Sequence, residues 1–289
     1  MPGYVEKALL NHFVYKMPPR PQHAPHAWLK PTYGAALQYT APEDTSTPLD
    51  ANGIKHLQEI IGVLLYYARA INPTMLVALG TLASAQIKGT KATARAAALL
   101  LDYAATPSGR CPPLYCEQHG PPRAQQCFLF VRAKRPFSRR RTIFLSTRPS
   151  ANTSTASNPP PLNGAIHITS TIMRNVLASA TKAEVGALFH NCQDACMLRT
   201  ALDEMGHPQP ATLVQTDNAC AKGIANDTVK QKWSKAIDMR FYWVRDRVRL
   251  GQFIVHWKKG VDNRADYFTK HFPPSHHRRI RPTYLLPGT

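Results

Sequence analysis

The sequence predicts an α/β domain that follows a smaller, wholly helical region. Residues 53–105 carry their apolar side chains at helical spacing, whereas strand-like and helix-like patterns alternate from residue 165 onward. At 289 residues with 44% apolar composition, the chain is long enough to form two units that each bury a core.

The N-terminal region predicts a short helix, a linker and a small helical bundle. Apolar spacing favours a helix over residues 4–16, and residues 17–50 form a proline-rich linker because proline holds the backbone extended. Three further helices are predicted at 56–68, 74–87 and 92–105, and Asn72-Pro73 ends the first of them. We interpret their apolar residues as core rather than as a binding site.

The second half of the chain alternates between strands and helices. Residues 147–163 are rich in Ser, Thr, Asn and Pro, which indicates a flexible loop. The predicted strands are 165–171, 211–216 and 252–257, and the predicted helices are 181–205, 219–225, 230–250 and 262–270.

Charge and composition restrict the possible partners. A formal net charge of +19 and a pI near 10.0 indicate a polyanionic partner, which here means nucleic acid; an incidental excess of bases is the alternative. The six cysteines lack CxxC pairs, so we expect reduced thiols. Since no apolar run approaches the roughly 18 residues of a membrane span, we expect a soluble, intracellular protein of the cytoplasm or nucleus, with no membrane or small-molecule cofactor among its partners.

Three acidic residues occur in short motifs beside predicted element ends. Glu184 lies within 182–188 (KAEVGAL), Asp217 within 216–221 (TDNACA) and Asp266 within 263–270 (NRADYFTK). Carboxylates are the ligands that a hard divalent ion such as magnesium prefers, if the fold brings them together. Each also has a structural alternative: a helix-dipole contact for Glu184, a helix cap for Asp217 and an ion pair with Lys270 for Asp266.

In this order the motifs resemble the ribonuclease H domain of LTR-retrotransposon polyproteins, most of all the copia type. The resemblance implies a ribonuclease H-like mixed sheet with flanking helices. It also implies two-metal cleavage of the RNA strand of RNA·DNA hybrids, with Mg²⁺ held by Glu184, Asp217 and Asp266. Upstream, residues 62–70 and 94–103 resemble the thumb and connection that follow the palm of a copia-type reverse transcriptase. The polymerase motif Tyr-x-Asp-Asp does not occur in the sequence, so no polymerase activity is predicted.

A basic run lies between Asp217 and Asp266. Residues 235–240 (KAIDMR) resemble the basic helix of the same family, with its Lys-x-Ile-Asp-x-Arg core. Such a helix can hold a hybrid duplex, or another duplex, by its phosphates, although a charge run is often only a solvated face. The candidate nucleic-acid contacts are Asn218, Lys232, Lys235, Arg240 and Arg247.

One catalytic residue of the family is missing. The resemblance places the first catalytic Asp on an opening strand, yet residues 110–141 contain no Asp and Glu117 is their only acid. Proline pairs at Pro112-Pro113 and Pro121-Pro122 also disfavour a strand pair, so we expect the first strand and hairpin to be disrupted. One hypothesis is that this segment is translated one nucleotide out of register. The shifted codons permit short amino-acid sequences that look like the family's first strand.

The expected organisation is therefore a remnant in three parts. Residues 1–109 are a helical thumb and connection remnant, 110–141 a frameshifted segment and 142–289 a ribonuclease H-like domain with an incomplete magnesium site. Cleavage is expected to be impaired or absent, because the two ions act as one clamp. The alternatives are a non-catalytic binder of duplex nucleic acid and an unselected pseudogene product.

Overall fold

The computed structural model describes residues 3–12, 15, 20–28, 44–106, 125–131, 139–147, 164–173, 180–229, 238–260 and 263–285. The chain forms two compact units. The helical unit comprises Met1–Pro112 together with Lys270–Thr289, and the sheet unit comprises Pro113–Thr269. The C-terminal residues, predicted as the end of the α/β domain, thus pack with the N-terminal helices.

Helices come first along the chain, and strands and further helices follow them. The helices are α1 (Tyr4–Lys7, continued by a π-helical turn at Ala8–His12), α2 (Ala51–Ala70), α3 (Leu76–Ala85), α4 (Lys91–Ala105), α5 (Ala180–Glu204), α6 (Ala219–Ala225), α7 (Asp238–Arg249) and α8 (Pro274–Ile280). The strands are β1 (Gln125–Val131), β2 (Arg139–Thr147), β3 (Gly164–Ile172), β4 (Thr212–Thr216) and β5 (Phe253–Trp257). Short 3-10 turns lie at Pro73–Met75, Gln86–Lys88, Arg264–Phe268 and Arg281–Thr283.

Local sequence explains where the helices of the helical unit begin and end. The Asp50 side chain caps α2 by accepting a hydrogen bond from Gly53 N at 2.9 Å. Thr90 caps α4 in a capping box that uses Thr93 at the third helical position. Between them, Pro73 prevents α2 from continuing. The buried face of α2 consists of Leu57, Ile60, Ile61, Leu64 and Ala68.

A five-stranded mixed sheet in the order β3-β2-β1-β4-β5 forms the centre of the sheet unit. β1 pairs antiparallel with β2, and β2 antiparallel with β3, whereas β1, β4 and β5 run parallel. All five residues of β4 are buried, as expected for an interior strand covered on both faces. The carboxyl end of β4 consequently lies between two neighbouring parallel strands.

The core of the sheet unit lies between the sheet and two long helices. It combines α5, α7 and the strands through the side chains of Val185, Leu188, Cys192, Val214, Phe241, Val244, Phe253 and Val255. Gly206, at a φ of +81°, follows α5 in the left-handed conformation that favours glycine at a helix end. Of the described cysteines, Cys192, Cys196 and Cys220 carry free thiols.

The first strand and hairpin, which the sequence predicts to be disrupted, are formed as β1 and β2. The reason is that the proline pairs precede β1 and Pro136 lies between the two strands, so no proline interrupts either ladder. The apolar runs 127–131 (CFLFV) and 143–145 (IFL) then have strong strand propensity. Residues 110–124, and most of the predicted loop 147–163, lie outside the described residues.

The predicted helix at 262–270 is replaced by the 3-10 turn Arg264–Phe268. There the Asn263 side chain caps Ala265 N, and Asp266 N and Thr269 N bond three residues back instead of four. Pro273-Pro274 close behind prevent a longer helix.

Among the residues that the structure describes, no helix is both long and apolar enough to cross a membrane.

Candidate functional site

The candidate site begins with a buried glutamate at the carboxyl end of β4, an interior strand of the sheet. Glu184 lies beyond the first turn of α5, and only 2% of its surface is exposed. Its Oε1 accepts a hydrogen bond from the hydroxyl of Thr216, the last residue of β4, at 3.0 Å. A carboxylate removed from water is costly unless it is hydrogen-bonded, so this contact fixes Glu184 beside the residue that precedes Asp217.

The turn that carries Asp217 is held by its neighbours on both sides. The Asp217 carbonyl accepts a hydrogen bond from Trp257 Nε1 at 2.9 Å, and Trp257 stands opposite Thr216 in the parallel ladder. Asn218, not Asp217, caps α6, because its Oδ1 accepts from Ala221 N at 3.0 Å. The half-buried Asp217 side chain is therefore not used as the helix cap.

Asp266 lies near the antiparallel strands of the same sheet. It lies on the turn Arg264–Phe268, which packs against β1 and β2, and the carbonyl of Phe268 accepts from Ser170 Oγ of β3 at 3.4 Å. The structure thus joins Glu184 to the Asp217 turn directly, and it places Asp266 on the antiparallel side of the same sheet.

The donor set suits magnesium chemically, because every candidate ligand is a carboxylate. Over the described residues, however, no three His, Cys, Asp or Glu side chains form a group that could hold a metal ion. The carboxylates that the structure describes therefore do not fit a complete two-metal centre.

Two lysines act electrostatically on His256 of β5. Burial lowers the pKa of His256 on β5, and the charges of Lys258 and Lys222 lower it further. The imidazole therefore stays neutral at neutral pH, and the two lysines contribute positive charge near it.

The arginines of α7 divide into two groups. Arg245 and Arg249 form ion pairs with the two carboxylate oxygens of Asp227, the latter at 2.6 Å. Asp227 holds a φ of 59°, a conformation that Asp tolerates better than most residues. Both guanidinium groups are therefore held by a single carboxylate, which balances one of their two positive charges.

Arg240 and Arg247 lie at the two ends of a row in which two aromatic rings stand between two cations. The Arg240 guanidinium carbon lies 5.7 Å from the centroid of the Phe189 ring, and that of Arg247 lies 5.3 Å from the Trp243 ring. Phe189 and Trp243 meet edge to face, with centroids 5.3 Å apart. We call these four residues the arginine–aromatic row. Contact with a ring orders each guanidinium and leaves its charge intact.

Sequence reasoning missed the residues that hold this site. Thr216, Trp257, Phe189 and Trp243 all act through contacts between separate elements. Thr216 was visible only as the neighbour of Asp217, and the Trp257 contact depends on the register of β5 against β4. Lys232 and Lys235 lie outside the described residues.

The Thr216–Glu184 hydrogen bond can be tested by mutation. Thr216→Val is expected to lower the free energy of unfolding of the sheet unit by about 2 kcal/mol, because a hydrogen bond to a charged group contributes about 1.5–3 kcal/mol. Urea unfolding followed by tryptophan fluorescence measures this. Thr216→Ser, which keeps the hydroxyl, should cost clearly less.

A double-mutant comparison separates the hydrogen bond from general packing. In a Glu184→Leu background, Thr216→Val should cost less than in the wild type, because only the hydrogen bond that Thr216 Oγ1 accepts from Asn218 N at 3.2 Å is still there to lose. An equal cost in both backgrounds would show that the bond to Glu184 contributes nothing to stability.

Comparison with known proteins finds a curated relative and solved structures that are similar to parts of this chain. No protein-family model matches the chain. Over 110 residues the chain is 29% identical to the retrovirus-related Pol polyprotein from transposon TNT 1-94 of Nicotiana tabacum. The match covers 38% of this chain and 8% of that polyprotein, so the chain spans less than a tenth of the length of its relative.

Two of the solved structures are of LC11-RNase H1, which was isolated from compost by a metagenomic approach. One is 14% identical and covers 50% of this chain and 91% of that chain, with a TM-score of 0.35. The other, in complex with an RNA/DNA hybrid, is 12% identical and covers 50% of this chain and 92% of that chain, also with a TM-score of 0.35. A TM-score this low does not establish a shared fold.

Proposed function

We propose that the sheet unit is a ribonuclease H-like domain derived from a copia-type retrotransposon polyprotein, and that it binds RNA·DNA hybrids but cleaves them weakly or not at all. The observation that carries the proposal is the hydrogen bond between Thr216 and Glu184, which joins Glu184 to the Asp217 turn at the carboxyl end of β4. Ligand-binding groups in α/β sheets collect at the carboxyl ends of parallel strands. Similarity to the tobacco transposon polyprotein supports the descent.

The proposed loss of activity follows from the sequence of the first strand. The family resemblance assigns two magnesium ions to Glu184, Asp217, Asp266 and one further Asp. Residues 110–141 contain no Asp that could complete this set. In this chain Thr216 holds the Glu184 carboxylate, and Asn263 holds the turn that carries Asp266.

Hybrid binding is assigned to the arginine–aromatic row. Arg240 and Arg247 lie against the rings of Phe189 and Trp243, which order the two guanidinium groups on one helix. Guanidinium groups fixed along one helix suit contacts with successive phosphates. Lys232, Lys235 and Asn218 are proposed as further contacts on the strength of the family resemblance alone. For the helical unit we propose descent from a reverse-transcriptase thumb and connection, without polymerase activity.

Binding and cleavage of a labelled RNA·DNA hybrid test this proposal together. We expect affinity for the hybrid to fall as salt rises, and magnesium to produce little or no cleavage. Arg240→Ala and Arg247→Ala should each reduce the slope of log K against log[salt] by about 0.9, the value for one phosphate contact. Arg249→Ala is the control on the same helix: because Asp227 holds the Arg249 guanidinium, the slope should change less than in the other two variants.

Each result has a distinct meaning. No salt-dependent binding of the hybrid would overturn the proposal. Equal affinity for duplex DNA would favour the simpler alternative of a general duplex binder. Rapid magnesium-dependent cleavage that disappears in Asp217→Asn would overturn only the proposed impairment.

We also propose that residues 110–141 are translated one nucleotide out of register. The nucleotide sequence across codons 105 to 146 tests this. Compensating single-base insertions or deletions near both ends are expected, and an intact frame without them would show that the segment is original.

A further inference from the structure

The helical unit contains a cluster of histidines that the proposed function does not use. His26 belongs to the segment 20–28, and His271 and His277 belong to the C-terminal segment 270–285. Both His26 and His277 are buried, with 7% and 2% of their surfaces exposed. Their Nε2 atoms lie 3.3 Å apart, and the His271 ring stacks on His26 with centroids 3.9 Å apart.

The hydrogen bonds determine which ring nitrogen carries each proton. His26 Nδ1 lies 3.1 Å from the Ala27 carbonyl oxygen, which can only accept, so Nδ1 is the protonated nitrogen. His26 Nε2 must then accept, and His277 Nε2 must donate to it. When both imidazoles are neutral, the contact therefore places them in different tautomers.

The surroundings disfavour any added proton. The groups whose charge acts on His277 are His26, His276, Arg281 and His271, and all of them are bases. Burial and these neighbours lower the pKa of His277 to about 3, and burial lowers the pKa of His26. A first added proton would put a cation in a buried site next to Arg281, and a second would set two N–H groups against each other.

The same contact fastens the end of the chain. The segment 20–28 is tied to the end of α4 by Gln22 N, which donates to Thr106 Oγ1 at 2.9 Å. His277 on α8 then bonds to this segment, and beyond α8 the side chains of Tyr284 and Leu285 are buried. The histidine pair is thus a direct side-chain link between α8 and the N-terminal part of the helical unit.

We propose that His26 and His277 form an acid-sensitive latch, which fastens the C-terminal segment to the helical unit while both imidazoles are neutral and releases it when they take up protons. The direction follows from linkage. In the released segment the imidazoles bind protons with their ordinary affinity, whereas in the fastened segment they bind protons more weakly. The equilibrium constant for release therefore rises as the pH falls below about 6.5, by about tenfold per pH unit for each proton taken up.

Amide hydrogen exchange of the full chain between pH 8 and pH 5 tests the latch. After correction for intrinsic rates, amides of 276–285 should lose protection as the pH falls, and they should exchange freely while amides of α2 are still protected. Protection that does not change with pH would overturn the latch. So would loss of protection in α2 and in 276–285 together, which would indicate unfolding of the whole unit.

Variants give a second, independent comparison. In His26→Gln/His277→Gln the two amides can hydrogen-bond to each other but cannot titrate, so protection should no longer depend on pH. His277→Leu should release the segment at every pH. His276→Gln, the matched control, removes a neighbouring histidine and should keep the pH dependence of the wild type.

The wild-type tautomers can be observed directly, which keeps the proposal testable if a variant fails to fold. Nitrogen-15 chemical shifts at pH 8 should show His26 protonated at Nδ1 and His277 protonated at Nε2. The opposite assignment would overturn the latch. Release of the segment by EDTA at pH 8 would also overturn it, because a metal ion rather than a hydrogen bond would then join the two nitrogens.

Discussion

Phe253→Ala is expected to lower the free energy of unfolding of the sheet unit by about 4 kcal/mol. Phe253 opens β5 with 1% of its surface exposed and packs in the core with α5 and α7. Truncating a buried phenylalanine typically costs about 3–5 kcal/mol, because apolar contacts are lost and a cavity remains. Urea unfolding followed by tryptophan fluorescence measures the change.

Ile254→Ala is the control for this variant. Ile254 is the next residue of β5, but it points to the opposite face and is 47% exposed. Its truncation should cost less than about 1 kcal/mol, as for most surface substitutions. Similar costs at the two positions would contradict the assignment of the inner face of β5.

This alternation along β5 belongs to the part of the fold that could be predicted from the sequence. Helix and strand periodicity is a local property, so α6 was predicted at its observed bounds and β3, β4 and α5 within one residue at each end. Boundaries agree where a local signal marks them, such as Asn218 before α6 or Gly206 after α5.

The hairpin of β1 and β2 was predicted wrongly because too much weight was given to proline. The prolines of residues 110–141 fall before and between the strands, and an apolar run of five residues is enough for a strand that pairs on both sides. A frameshifted origin would be compatible with these strands, because strand formation depends on the pattern of side chains and not on the reading frame that produced it.

Contacts between residues that are far apart in sequence could not be predicted. The sequence showed Glu184 and Asp217 as members of one site only through the family resemblance, and it contained no sign that Thr216 links them. The return of the C-terminal segment to the helical unit is the clearest case, since His26 and His277 are 251 residues apart. No periodicity within either segment signals such a contact.

Tyr103→Ala is expected to have an effect of similar size in the helical unit, about 4 kcal/mol. The side chain of Tyr103 is fully buried on α4, and its hydroxyl lies 2.7 Å from Thr74 Oγ1. Burial raises the pKa of Tyr103, so the ring is a neutral phenol, and the Arg281 guanidinium carbon lies 5.1 Å from the ring centroid. Protection of the slowest-exchanging amides of α2 measures the stability of the unit.

Two milder substitutions separate the roles of this side chain. Tyr103→Phe removes only the hydroxyl and should cost about 1 kcal/mol, the net contribution of one hydrogen bond. Because the ring remains beneath Arg281, protection of amides 276–285 should fall no further than that of α2. Tyr103→Leu removes the ring, and with it a cation–π contact of about 0.5–2 kcal/mol, so protection of the C-terminal segment should fall more than that of α2. Equal losses in the Phe and Leu variants would mean that Arg281 does not fasten the segment through this ring.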